Sequence, residues 1–125
     1  MKNAYLVEDD EAARGALSEA LAEFADARVA GWAETEDAAV AWLSRHPQEV
    51  DFVVLDLFLD AGSGLGALAR LNKMPYAPPV LVLSGGATSL LRRSCMLLGA
   101  RGVYDKAANL DDFYRACAGL PGRAR

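Results

Sequence analysis

Five short apolar segments recur along this chain, and the stretches between them are too long for hairpin turns. They are Ala4-Tyr5-Leu6-Val7, Arg28-Val29-Ala30-Gly31-Trp32-Ala33, Asp51-Phe52-Val53-Val54-Leu55-Asp56, Val80-Leu81-Val82-Leu83-Ser84 and Gly102-Val103-Tyr104-Asp105. The third is apolar and β-branched almost throughout, as a strand covered on both faces must be. Strands joined by long crossovers run parallel, and a parallel sheet needs helices on both of its faces.

The intervening stretches carry the matching helical signal. After the acidic run Glu8-Asp9-Asp10-Glu11, apolar residues return at Ala13, Leu17, Ala20, Leu21 and Phe24, which is helical spacing. Thr35 offers a hydroxyl cap to a helix bearing Ala38, Ala39, Trp42 and Leu43, and His46-Pro47 stops it. The glycine-rich Ala61-Gly62-Ser63-Gly64 reads as a flexible turn into a helix from about Leu65 to Asn72. Without a Walker lysine it is not a nucleotide loop. Gly85-Gly86-Ala87-Thr88 opens a fourth helix that runs to about Leu98 with Gly99 as its cap, and Asn109, followed by Asp111 and Asp112, caps a fifth that ends near Ala118. A length of 125 residues suits one domain, expected over residues 1–120, with a short tail at 121–125 and no output domain.

Hydrophobic residues make up 53% of the chain and charged residues 24%, enough apolar material for a packed core. The net charge of −4, with Lys and Arg scattered rather than massed on one helix, argues against direct binding of nucleic acid. No apolar run approaches the roughly 18 residues of a membrane span, so no membrane association and a cytoplasmic location are expected. Cys95 and Cys117 stand apart from each other and from any second metal-ligand type, and read as reduced helix residues. His46 reads as a solvated helix-end histidine, and Trp32 and Trp42 as packing residues.

In open parallel sheets, functional groups gather beyond the carboxyl ends of the strands, where strand order reverses. Glu8, Asp9 and Asp10 follow the first strand, Asp56 ends the third, Ser84 ends the fourth and Lys106 follows the fifth. With strand order 2-1-3-4-5, the first and third strands are neighbours and Asp56 meets the acidic run. Carboxylates so close repel unless a cation sits among them. An all-oxygen set without His or Cys favours a hard ion, Mg²⁺ before Mn²⁺ or Ca²⁺. A carboxylate beside such an ion and an ammonium can attack phosphorus, because both neutralise charge on the transferring oxygens. Asp56 is placed as that nucleophile and Lys106 as the ammonium. The Ser84 hydroxyl can donate a hydrogen bond to an arriving phosphoryl oxygen.

From about Asn3 to Ala118 the chain resembles the receiver domains of response regulators. The resemblance is carried by four segments in order: Tyr5-Leu6-Val7-Glu8-Asp9-Asp10, Val53-Val54-Leu55-Asp56-Leu57, Val80-Leu81-Val82-Leu83-Ser84-Gly85 and Gly99-Ala100-Arg101-Gly102-Val103-Tyr104-Asp105-Lys106. It implies an α/β fold of the flavodoxin-like, doubly wound (βα)5 type. It also implies Asp56 as phosphoacceptor, Asp9 contacting Mg²⁺ directly, Glu8 contacting it through water and Phe58 lending it a backbone carbonyl. Ser84 becomes the switch hydroxyl and Lys106 the invariant-type lysine. The partners implied are a sensor histidine kinase or phosphotransfer protein and an unidentified downstream protein, reached through the face made by helix four, strand five and helix five. A homodimer is among the assemblies such a face allows. The chain is then a phosphoacceptor switch rather than an enzyme.

Several positions depart from the family pattern. Asp60 and Ala107 stand where prolines are common, and without that proline a cis peptide after Lys106 costs about 3 kcal/mol, so a trans bond is expected. Val103 replaces an aromatic switch residue and has no ring to swing inward. Phe58 puts a bulky group where a hydrolytic water approaches, so slow loss of the phosphoryl group is expected. These departures leave open a scaffold that binds partners without phosphorylation. A flavin domain is disfavoured by the acidic first loop, and a haloacid-dehalogenase-like phosphatase by Phe58, where that family wants a second Asp.

Overall fold

The computed structural model describes residues 1–122, and Arg123 and Arg125 of the expected tail lie outside them. The elements alternate without exception: β1 (Lys2–Val7), α1 (Glu11–Ala25), β2 (Ala27–Ala33), α2 (Glu36–Arg45), β3 (Phe52–Leu55), α3 (Gly64–Asn72), β4 (Val80–Ser84), α4 (Ser89–Leu97), β5 (Gly102–Asp105) and α5 (Leu110–Gly119). All strand pairs are parallel, in the order β2-β1-β3-β4-β5. The expected flavodoxin-like doubly wound fold is therefore the observed one.

Side-chain alternation divides the core into two layers. Ala4, Leu6, Phe52, Val54, Leu81 and Leu83 face one side, where Leu17 and Leu21 of α1 and Phe113 and Cys117 of α5 cover them. Tyr5, Val7, Val53, Leu55, Val80 and Val82 face the other, against Leu43 of α2, Leu68 and Leu71 of α3 and Cys95 of α4. Each central strand is thus apolar on both faces, which is why its sequence reads as an unbroken apolar run. Both cysteines are buried and free.

Where sequence and structure differ, a tertiary contact decides. β1 begins at Lys2 because Lys2 pairs with Ala27 of β2 and its N–H donates to the Asp26 carbonyl at 3.1 Å, while its ammonium donates to the carbonyls of Cys117 and Ala118 at the carboxyl end of α5, at 2.6 and 3.0 Å. Asn109 does precede α5, but its side chain makes no cap hydrogen bond. Its Oδ1 instead accepts from the Asp105 N–H and from Arg92 Nη2, each at 3.3 Å. Gly99 adopts the left-handed conformation expected of it, with φ of 94°. His46 is not simply solvated, since its ring lies against Trp42 and its Nδ1 is 2.9 Å from a Glu49 oxygen. Trp42 itself stacks on Tyr5, whereas Trp32 is exposed. No helix among the described residues is long and apolar enough to cross a membrane.

Candidate functional site

The sheet ladders continue one residue past the strands, and this extension places the site. The Glu8 N–H donates to Ala33 O at 3.0 Å, Asp56 N–H to Val7 O at 3.0 Å and Lys106 N–H to Ser84 O at 3.2 Å. The residue after β1, the residue after β3 and the residue after β5 are therefore fixed by the register of the sheet. Strand order reverses between β1 and β3, so the loops on either side diverge and leave a crevice there.

Glu8, Asp9 and Asp56 meet in that crevice, each offering a carboxylate oxygen, with the three oxygens within 4.8 Å of one another. Glu8 and Asp56 are buried, 5% and 8% exposed, and Asp9 is half-buried. The Lys106 ammonium donates to Glu8 Oε1 and lies 3.4 Å from Asp56 Oδ2. The fully buried Ser84 hydroxyl donates to Asp56 Oδ1 at 2.8 Å, and the Phe58 N–H donates to the same oxygen at 3.2 Å. Ser84 is thus bonded to the site and is not a helix cap. The Phe58 side chain is half exposed at the mouth of the crevice.

The electrostatics follow from this crowding. Burial, reinforced by the Asp56 charge, holds the Glu8 carboxyl above its ordinary range, although the hydrogen bond from Lys106 pulls the other way. Burial alone would lower the Lys106 ammonium, but its bond to Glu8 and the charge of Asp56 outweigh burial and raise it. The neighbouring Asp9 charge raises the carboxyl of the exposed Asp60. Three carboxylates and one ammonium leave the pocket short of positive charge. Its donors are all hard oxygens, with no His or Cys among them, so the residues present fit a small divalent cation such as Mg²⁺ or Mn²⁺.

Glu8, Asp9, Asp56, Phe58, Ser84 and Lys106 are brought to this one crevice, whereas Asp10 of the same acidic run is exposed and caps α1, accepting from the Ala12 N–H at 3.0 Å. Others in or behind it were not foreseen. The Asp60 N–H donates to Asp9 Oδ2 at 2.8 Å, joining the loop after β3 to the loop after β1. That same loop is pinned by Glu36, whose Oε1 accepts from the Ser63 N–H at 3.0 Å and whose Oε2 is 3.1 Å from Arg70 Nη1. The glycines of the loop therefore make room rather than slack. A Cβ on Gly62 would lie 2.6 Å from the Glu36 Cβ, and one on Gly66 would lie 2.3 Å from Glu36 Oε1. A Cβ on Gly64 would fall 2.0 Å from the Asp56 carbonyl oxygen, so α3 can start this close to the phosphoacceptor candidate only with glycine there. Arg14, an arginine in the apolar stripe of α1, reaches back to the Glu8 carbonyl at 2.8 Å. The stripe read from the sequence ran through Ala13 and Phe24 and carried no mark of Arg14; in the structure Arg14 and Ala25 take the buried face and Phe24 is exposed.

The sequence model of the response regulator receiver domain matches residues 4–118. The virulence-factor positive transcription regulator BvgA of Bordetella pertussis is 38% identical over 66 residues, covering 53% of this chain. The chain spans about a third of that curated relative's length, since the match covers 32% of it. Among solved structures, the phosphorylated cyanobacterial phytochrome response regulator RcpA superposes with a TM-score of 0.77 and 27% identity, covering 94% of this chain and 89% of that one. The CheY chain of a CheX–CheY complex with BeF3 and Mg from Borrelia burgdorferi gives a TM-score of 0.81 at 19% identity, covering 92% and 88%. With a family match over nearly the whole length and the corresponding fold, the chain belongs to the response regulator receiver domains of two-component signalling.

Proposed function

We propose that this chain is a phosphorylation-controlled switch in which Asp56 accepts a phosphoryl group from a sensor histidine kinase or a phosphotransfer protein. The observation that carries this reading is the meeting of Glu8, Asp9 and Asp56 within 4.8 Å, with the Lys106 ammonium on two of them. Glu8, Asp9 and Asp56, with the Phe58 backbone carbonyl, would hold a Mg²⁺ ion, with Mn²⁺ as a substitute. When bound, the ion supplies charge neutralisation for the phosphoryl oxygens.

The chain's own residues do the rest. An Asp56 carboxylate oxygen attacks phosphorus, the phosphorus–nitrogen bond of the donor histidine breaks, and its electron pair returns to the imidazole. Lys106, already directed at Asp56, neutralises charge gathering on the transferred group. The Ser84 hydroxyl must leave Asp56 Oδ1 to reach a phosphoryl oxygen, and this movement at the end of β4 is the first event of the switch. It passes to α4, whose Arg92 Nη1 donates to the Val103 carbonyl of β5 at 3.1 Å. Output then runs through the face of α4, β5 and α5, where Leu90 and Leu97 are exposed. On this reading the chain is a phosphoacceptor that assists its own phosphorylation and slow dephosphorylation, and not a turnover enzyme.

The test is mass spectrometry after treatment with acetyl phosphate and Mg²⁺. One added phosphoryl group on the wild type, absent from Asp56→Ala, is the expected result. The exposed leucines of α4 also suit a scaffold that binds its partner unphosphorylated. That reading takes over if the wild type gains no phosphoryl group.

A further inference from the structure

We propose that Arg14 is a positioning residue for the divalent cation, holding the acidic loop in its ligating shape through the Glu8 carbonyl; this rests on the cation-binding reading above. The buried residues of α1 are Arg14, Leu17, Leu21 and Ala25, a stripe that otherwise builds the core. A guanidinium in such a stripe is expensive to desolvate and packs no better than an aliphatic side chain. Its partners explain its presence. Arg14 Nη1 donates to the Glu8 carbonyl at 2.8 Å and lies 3.2 Å from Glu34 Oε1, and the guanidinium carbon sits 4.0 Å above the ring of Trp32.

The consequence falls on Glu8. Its N–H is held by the Ala33 carbonyl at 3.0 Å and its carbonyl by Arg14, so the peptide units before and after Glu8 are both held. The side chain leaving that clamped backbone is delivered inward, 5% exposed, beside Asp56 and Lys106. The next residue is Asp9, whose direction follows from the same clamped peptide. Trp32 holds the guanidinium by its ring face, and Glu34 pairs with the same Nη1 that serves Glu8. Arg14 touches none of the ligating oxygens. It acts through backbone geometry, as outer-shell partners of metal ligands do, and their removal typically weakens metal binding 10–100-fold.

Isothermal titration of the whole chain with MgCl₂ tests this, with Arg14→Met, Arg14→Lys and Glu34→Gln beside the wild type. Arg14→Met is expected to raise the Kd for Mg²⁺ about tenfold. Arg14→Lys should raise it at least about threefold, because Nη1 serves both Glu8 and Glu34 while the planar guanidinium lies flat on Trp32, and a shorter side chain ending in an ammonium cannot keep both arrangements. Glu34→Gln leaves the Glu8 bond intact and should change it less than about threefold. The Mg²⁺ concentration that gives half the maximal rate of phosphorylation by acetyl phosphate should rise in step with Kd, about tenfold in Arg14→Met and less than about threefold in Glu34→Gln. A folded Arg14→Met with wild-type Kd overturns the proposal, as does a Glu34→Gln loss equal to that of Arg14→Met. If Arg14→Met does not fold, wild-type affinity in Arg14→Lys overturns it. A wild type that binds no Mg²⁺ sinks the cation-binding reading itself, whereas a wild type that binds while all variants match it sinks Arg14 alone.

Discussion

Replacing Lys106 with Met should act in opposite directions on cation binding and on phosphorylation. In the metal-free protein the ammonium is the counter-charge of Glu8 and Asp56, whose facing oxygens are no more than 4.8 Å apart. Without it, two like charges at that separation repel by about 3.5 kcal/mol at an effective dielectric constant of ~20. Lys106 is about a third exposed, so water entering the gap reduces this, and the net loss of stability should be about 1–3 kcal/mol. In a domain of this size that lowers Tm by roughly 3–10 °C. The same substitution frees Glu8 from a competing cation, so Mg²⁺ should bind the variant more tightly and raise its Tm by more than it raises that of wild type. Phosphorylation by acetyl phosphate should nevertheless fall about a hundredfold, the usual cost of removing a group that stabilises charge in the transition state. Differential scanning fluorimetry with EDTA and with MgCl₂, run on both proteins, measures the first two effects. An equal loss of Tm in both conditions would refute the view that lysine and metal ion share the same carboxylates.

Gly64→Ala and Gly66→Ala should differ in severity although they lie two residues apart. The first drives a Cβ to 2.0 Å from a backbone oxygen that cannot yield and should cost about 3 kcal/mol or more in urea unfolding. The second meets only the tip of the Glu36 side chain, and a gain of about 1 kcal/mol in helix propensity offsets the weakened Glu36 bonds, so its change should stay within about 1 kcal/mol of zero. Cys117, held by burial at about 12 against an ordinary 9.0, keeps its proton in the folded chain long after an unfolded thiol has lost it. Stability from this group is complete below pH 9 and declines as pH rises toward 12, by about 2 kcal/mol at pH 10.5; Cys117→Ala should show a shallower decline of the urea midpoint between pH 8 and 10.5. Phe58→Ala should shorten the lifetime of the phosphorylated protein severalfold in Mg²⁺, as followed by loss of the added mass. An unchanged lifetime would remove Phe58 as the barrier to water.

The fold and the site residues were legible in the sequence for the same physical reason. Strands buried on both faces must be apolar, so the first polar residue at the end of such a run marks the rim of the sheet; Glu8 and Asp56 follow β1 and β3, Ser84 is the last residue of β4, and Lys106 follows the half-buried edge strand β5. What was not legible depends on side chains arriving from distant elements. The capping pattern at Asn109 was sound locally, but Arg92 from α4 and the Asp105 N–H take up its oxygen. The run Ala61-Gly62-Ser63-Gly64 looked slack because nothing near it in sequence reveals that Glu36 will fill the space of the missing side chains. Strand limits failed similarly. Asp51 stands outside β3, its carboxylate accepting the Asn3 N–H at 2.6 Å, and Asp56 turns away to the crevice.

The departures from the family pattern acquire a common physical meaning in the structure. Asp60 and Ala107 both stand where proline is common, and proline has no N–H to donate. Here both N–H groups are used: that of Asp60 bonds Asp9 Oδ2 at 2.8 Å, and that of Ala107 bonds Asp105 Oδ1 at 2.7 Å. The first ties the loop after β3 to an acidic residue of the crevice, and the second folds the Lys106 loop back on the end of β5. Every peptide bond among the described residues is trans, so the Lys106 loop takes its shape from this hydrogen bond and not from a proline. Val103 completes the pattern. Where an aromatic ring would report the state of the site by changing its rotamer, the backbone carbonyl of Val103 is held by Arg92. Arg92 also holds Asn109, which in turn accepts from the N–H of Asp105, the residue beside Lys106. Hydrogen bonds thus link α4 to the loop of the site lysine in a chain that lacks the ring.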